Sequence, residues 1–187
     1  MVIFINGSFG IGKTTVARWL VQHLPQSMLF DPEPIGVVLL HLARIWPSAT
    51  RADDFQDLRI WRKTSIRLLG VICRLRRVVV VPMAFSNASY LREFLNAARR
   101  RDGEAFHFCL TAPLAVVRER LGSREVRRGP TEWQLRRSEE CCEAHQRPEF
   151  AEPVSTEGRS PQEVAQDILA RIRAHVDTVE PQRHAAR

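Results

Sequence analysis

The stretch Gly7-Ser8-Phe9-Gly10-Ile11-Gly12-Lys13-Thr14 constrains this chain more than any other. It has the pattern G-x-x-x-x-G-K-[ST] of a phosphate-binding loop, which works only between a strand that enters it and a helix that leaves it. Both flanks meet that need. Val2-Ile3-Phe4-Ile5 is a short apolar run of strand formers, and Thr15 to Leu24 sets Val16, Leu20 and Leu24 on one helical face. Gly7 and Gly12 let the backbone bend where a side chain would strike phosphate. Loop N–H groups and the helix N-terminus then face the anion. The expected nucleotide-binding residues are Gly7, Ser8, Phe9, Gly10, Ile11, Gly12, Lys13, Thr14 and Thr15. Lys13 is expected on the β- and γ-phosphates and the Thr14 hydroxyl on the metal, so ATP and Mg2+ are the expected cofactors.

Composition supports the lysine. Of 28 basic residues, only Lys13 and Lys63 are lysine, an arginine bias that suits a GC-rich genome. A lysine that persists against the bias sits where a compact ammonium fits better than a guanidinium. Lys63 reads as a solvated helix residue. The net charge of +7 permits nucleic acid, anionic lipid or phosphorylated ligands. The arginines are spread along the chain, however, and no zinc-finger or RNA-binding aromatic motif accompanies them. Anionic small molecules are the expected partners, and nucleic acid is not. No apolar run approaches the ~20 residues of a membrane span. The N-terminus enters the first strand directly, so a cytoplasmic protein without a secretory signal is expected. Cys73, Cys109, Cys141 and Cys142 lack metal-ligand spacing and read as reduced thiols. Nothing in the sequence sets the oligomeric state.

Strands and helices alternate along the chain. Strands are expected at Val2 to Asn6, Met28 to Phe30, Val78 to Val81, Ala105 to Leu110 and Pro153 to Ser155. Helices are expected at Lys13 to Leu24, Ile35 to Ile45, Leu58 to Leu75, from Asn87 or Ser89 to Arg101, Pro113 to Leu121, Thr131 to Ala144 and Ser160 to Val176. The all-apolar Val78-Val79-Val80-Val81 suits a strand covered on both faces. Asp102-Gly103 stops one helix, and Ser160, Pro161 and Glu163 start another. Ser123 to Pro130 is an arginine- and glycine-rich loop. The expected fold is a single-domain three-layer α/β/α P-loop NTPase, with a doubly wound parallel sheet of about five strands. It spans residues 1–176, with 177–187 as a disordered tail. Ligands in such sheets bind at the carboxyl ends of the strands.

Residues around that edge suggest the chemistry. Arg118-Glu119-Arg120-Leu121-Gly122-Ser123-Arg124 resembles the start of the lid in nucleoside-monophosphate kinases. The resemblance implies Arg120 near the adenine, Arg124 near the phosphates, and Arg127 and Arg128 closing over them. Ser155 to Pro161 resembles the turn whose backbone meets the adenine there. Asp31 ends the second strand beside the loop. It would take the proton of an acceptor hydroxyl or hold Mg2+ through water; alternatively it caps the turn before Pro32. Glu33 is a second such acid. Asp53, Asp54, Phe55 and Gln56 with Arg59, Trp61 and Arg62 form a polar-aromatic cluster. It would grip a nucleoside or sugar, or else serve as a helix cap with Trp61 in the core. The third strand runs into Pro82-Met83 and carries no terminal acid, which argues against a motor ATPase or GTPase switch. Ile35 to Ile45 is apolar nearly all round, as a buried helix or as a wall for a lipophilic substrate or membrane contact.

Together, Phe4-Ile5-Asn6-Gly7 with the loop, Asp31-Pro32-Glu33-x-x-Gly36, Asp53-Asp54-Phe55-Gln56, Trp61-Arg62 and Val81-Pro82-Met83 resemble the bacterial tunicamycin-resistance ATP-binding proteins. The likeness runs from Met1 to about Val176. It implies an ATP-dependent protein that protects a cell from a nucleoside antibiotic with a sugar core and a fatty acyl tail. One implied mechanism is phosphorylation of a drug hydroxyl, with Lys13 and Arg124 on the phosphates, Thr14 on Mg2+ and Asp31 as base. Glu33, Asp53, Asp54, Phe55 and Arg62 would bind the substrate. Another is ATP-linked sequestration of the drug without chemistry, with peripheral membrane contact. A third is a housekeeping nucleoside or sugar kinase.

Overall fold

The computed structural model describes residues 1–45, 54–123 and 130–185. Five parallel strands make one sheet: β1 (Val2–Gly7), β2 (Ser27–Leu29), β3 (Val78–Met83), β4 (Ala105–Thr111) and β5 (Pro153–Ser155), in the order β2-β3-β1-β4-β5. The helices are α1 (Lys13–His23), α2 (Glu33–Ile45), α3 (Arg59–Leu75), α4 (Ala88–Asp102), α5 (Leu114–Gly122), α6 (Glu132–Ala144) and α7 (Pro161–Ala185). The molecule is an α/β protein built on a parallel sheet with helices on both faces.

The side-chain period of two builds both cores at once. Val2, Phe4, Val79, Val81 and Met83 join one cluster with Trp61 and Leu69 of α3 and Leu91 and Phe94 of α4. Ile3, Ile5, Val78, Val80 and Leu110 join the other with Val16 and Leu20 of α1, Val117 of α5 and Ile168 of α7. Every residue of β1 and β3 is buried, as a doubly covered parallel strand requires. Pro82 lies inside an interior strand, where a missing N–H would ordinarily cost a ladder bond. Val80 bonds towards β2, since its carbonyl accepts the Phe30 N–H at 2.9 Å. Two residues on, Pro82 faces the same way, and the β2 pairing has already ended at Leu29↔Val80. The ring therefore occupies a gap in the ladder.

Helix starts follow their caps. Asn87 accepts the Ser89 N–H at 2.9 Å, Thr131 and Gln134 form a capping box, and Ser160 and Glu163 exchange bonds at the head of α7. α4 ends at Gly103, with φ 74°. One expectation shifts: α7 continues through Ala185, past Val176 and into the segment read as a tail. The apolar periodicity ends near Val176, yet the helix runs on through Pro181.

Candidate functional site

The loop between β1 and α1 is shaped for an anion. Gly10 (φ 80°) and Gly12 (φ 101°) hold backbone that side chains rarely adopt, and a Cβ on Gly10 would sit 2.8 Å from the Leu121 side chain. No side chain caps α1, and its first turn has no acid, so its first amides are left for a phosphate. The Ser8 hydroxyl is buried there, beside the Cys142 thiol. The residues thus fit a nucleotide phosphate. Thr14, half-buried on the first turn of α1, would hold the metal; Thr15 beside it is exposed.

Lys13 is buried, with its ammonium 4.8 Å from the Phe9 ring centroid and 4.0 Å from Glu33 Oε1. Phe9 in turn meets Trp133 edge-on at 5.4 Å. Glu33 opens α2, and its Oε1 accepts no hydrogen bond. Burial raises its pKa; Lys13 opposes the rise, and Asp31 and Asp54 add to it. Asp31 Oδ1 accepts the Glu33 N–H at 3.0 Å, so Asp31 caps α2 while Glu33 faces the lysine. The acid on the phosphate-loop lysine is therefore Glu33.

A polar cavity of about 280 Å³ lies alongside, lined by residues including Asp54, Ser86, Tyr90, Trp133 and Arg137. Asp54 Oδ1 accepts the Gln56 N–H at 2.9 Å, and Oδ2 pairs with Arg137 Nη2 at 2.9 Å. Burial still holds the Asp54 pKa above the ordinary carboxylate value, against the Gln56 N–H and Arg137. Arg137 also donates to Ser86 Oγ at 2.6 Å. Phe55 and Arg62 stand behind this wall. Phe55 packs edge-on against Trp61 at 4.9 Å, and Arg62 bonds Glu93 at 3.2 Å and covers the Tyr90 ring at 4.0 Å. Trp61 is fully buried, its indole N–H donating to Pro32 O at 3.0 Å. Asp53 lies outside the described residues.

On the other side of the loop, Arg120 donates to Thr156 Oγ1 at 2.9 Å and Thr156 O at 2.8 Å. Arg120, Thr156 and Pro161 line a cavity of about 230 Å³ with Gly10, Gly12 and Val16. Its position and apolar floor suit a flat base. Arg124, Arg127 and Arg128 lie outside the described residues.

Beneath the site, Asn6 Oδ1 accepts the Phe85 N–H at 2.8 Å, and Phe85 O accepts from Asn6 Nδ2 at 3.2 Å and His145 Nε2 at 2.8 Å. The carbonyl can only accept, so Nε2 carries the imidazole proton. Burial lowers the His145 pKa to about 4. Arg137, Trp133, Tyr90 and His145 escaped the sequence reading. Each is remote in sequence from what it touches, and Arg137 was one arginine among many.

Comparisons with known proteins agree with this geometry. Residues 2–148 match the AAA domain family. A tunicamycin resistance protein from Deinococcus radiodurans superposes with a TM-score of 0.71 at 30% identity, over 91% of this chain and 94% of that one. A gluconokinase from Sinorhizobium meliloti 1021 gives a TM-score of 0.69 at 18% identity, over 97% and 96% of the chains. A shikimate kinase from Acinetobacter baumannii, in complex with shikimate, gives 0.58 at 19%, over 93% of each. The two kinases share the fold. No curated protein matches significantly. The chain belongs to the AAA domain family and to the tunicamycin-resistance protein family, in a kinase-like fold.

Proposed function

We propose that this protein is an ATP-dependent phosphotransferase that moves the γ-phosphate of ATP to a hydroxyl of a nucleoside antibiotic of the tunicamycin class. The observation that carries the reading is the buried Lys13–Glu33 contact at 4.0 Å, an acid aimed at the phosphate-loop lysine and raised in pKa by burial. A base in phosphoryl transfer needs such a pKa, closer to neutrality than that of a free carboxylate.

In this reading Lys13 and the loop amides hold the β- and γ-phosphates, and Thr14 and Asp31 would hold Mg2+. The metal supplies charge neutralisation on the phosphates. Arg120 and Pro161 flank the adenine. The acceptor hydroxyl lies between Glu33 and the γ-phosphate, with the rest of the acceptor on Asp54 and Arg137. Its oxygen bonds to phosphorus, the bridging bond to ADP breaks, and the proton passes to Glu33. Phosphates on Lys13 would release Glu33 from its ion pair for that role. Catalysis is then mostly positioning and charge.

A second reading is ATP-linked sequestration of the drug without transfer. It is favoured by the end of β3, where Pro82, Met83, Ala84 and Phe85 are buried and none is an acid. Mass spectrometry of tunicamycin after incubation with protein, Mg2+ and ATP separates the two, with Lys13→Met as control. A product heavier by one phosphoryl group, absent from the control, is expected. Unmodified drug would overturn the phosphotransferase reading.

A further inference from the structure

The phosphate loop carries an aromatic ring that phosphate binding does not call for. Loop amides and Lys13 serve the anion, so position 9 is open to any side chain that fits. Phe9 stands there half-buried and has two partners. One is the Lys13 ammonium, 4.8 Å from the ring centroid. The other is Trp133, which meets Phe9 edge-on at 5.4 Å with the ring planes 62° apart.

Trp133 also lines the polar cavity, with Asp54, Tyr90 and Arg137. It stands on the first turn of α6, which the Thr131–Gln134 capping box fixes. Arg137 follows one helical turn later, so the two side chains share a face. Asp54 anchors that face through its 2.9 Å pair with Arg137. Phe9 and Trp133 therefore form a continuous contact from the phosphate-loop lysine to the cavity wall. The contact is electrostatically responsive. The Lys13 ammonium lies over the Phe9 ring and 4.0 Å from Glu33 Oε1. Phosphate oxygens attract an ammonium more strongly than a ring quadrupole does. An edge-on ring pair, whose geometry follows the same quadrupoles, responds when the cation leaves.

We propose that Phe9 and Trp133 are positioning residues that couple nucleotide binding to the acceptor cavity. Phosphates draw Lys13 off the Phe9 ring, and Phe9 then packs fully on Trp133 and firms the cavity wall. Coupling between two binding sites is reciprocal, so each ligand tightens the other by the same factor. The acceptor half of this inference rests on the function proposed above; the path from nucleotide to Trp133 does not. Two measurements on the full chain test the halves separately. In the first, Mg2+ with a non-hydrolysable ATP analogue should change the tryptophan emission, and Trp133→Phe should lose that change. In the second, tunicamycin affinity is measured with and without the analogue. The nucleotide should tighten binding at least about fivefold. Phe9→Leu and Trp133→Leu should each bring that factor close to one, while Trp133→Phe, which keeps a ring, should retain most of it. Three results would each overturn the proposal: an emission change that survives in Trp133→Phe, a thermal shift from the analogue with no emission change in the wild type, or leucine variants whose coupling matches the wild type. Equal tunicamycin affinity with and without nucleotide would do the same. A protein that binds the analogue but no tunicamycin would overturn the acceptor reading instead, and the emission measurement would still decide whether nucleotide binding reaches Trp133.

Discussion

Glu33 is held in a costly state. A carboxylate with its pKa raised by burial destabilises the fold at neutral pH, and the cost is relieved as pH falls, because the folded state then binds the proton more readily. Glu33→Gln should therefore leave the neutral-pH melting temperature unchanged or higher, keep ATP binding, and lower transfer by about 10²-fold or more. Lys13→Met should lose nucleotide binding, while Asp31→Asn should mainly weaken the Mg2+ dependence of transfer. Calorimetry beside a phosphotransfer assay checks all three. A Glu33→Gln enzyme with full activity would return the base assignment to Asp31.

His145 behaves in the opposite sense. Its pKa of about 4 lies below the ordinary histidine value of 6.5, so the unfolded chain binds the proton first. Stability is fully present above 6.5 and is lost as pH falls towards 4, by an amount on the order of 3 kcal/mol for a shift of this size. Urea titrations at pH 7 and pH 4.5 should show the loss. A His145→Gln variant, which keeps a donor for Phe85 O, should show less of it.

At the scale of elements, two contacts decide how the site is assembled. α2 rests on the turn at Phe55–Asp57 (a 3-10 turn) through Gly36, where a Cβ would come 2.3 Å from the Phe55 ring. Gly36→Ala must push α2, and Glu33 with it, away from Lys13. A cost of about 1–3 kcal/mol is expected from overpacking, with activity falling further than stability in paired denaturation and turnover measurements. The second contact joins Asp54 of the turn to Arg137 of α6, both largely buried. Removing either partner strands a buried charge, at about 3–5 kcal/mol. A double-mutant cycle of Asp54→Asn and Arg137→Gln should show positive coupling, since the double variant leaves no unpaired charge.

For the whole molecule, the parallel sheet gathers the site at one edge, and ligand binding should be read by the entire fold. ATP with Mg2+ at about a hundredfold excess over Kd should raise stability by about 2.7 kcal/mol. The Lys13→Met protein should lack that shift in a thermal melt. Trp61→Ala should lower stability by about 3–5 kcal/mol without touching the loop, because it empties the core under α3.

The sequence alone determined the architecture and the phosphate loop. Both are written locally: strand-loop-helix adjacency, the apolar run Val2 to Ile5, and all-apolar Val78 to Val81 with nowhere to lie but inside. The family was equally legible, through short motifs such as Asp31-Pro32-Glu33. Which acid faces Lys13 was not. Asp31 and Glu33 are two residues apart, and only the start of α2, with Asp31 spent on its cap, turns Glu33 towards the lysine. Nor could sequence show that Asp54 pairs with Arg137, or that Phe55 and Arg62 stand behind the wall. Those facts depend on contacts between segments tens of residues apart, and a local pattern carries no information about which distant side chain will fill a given space.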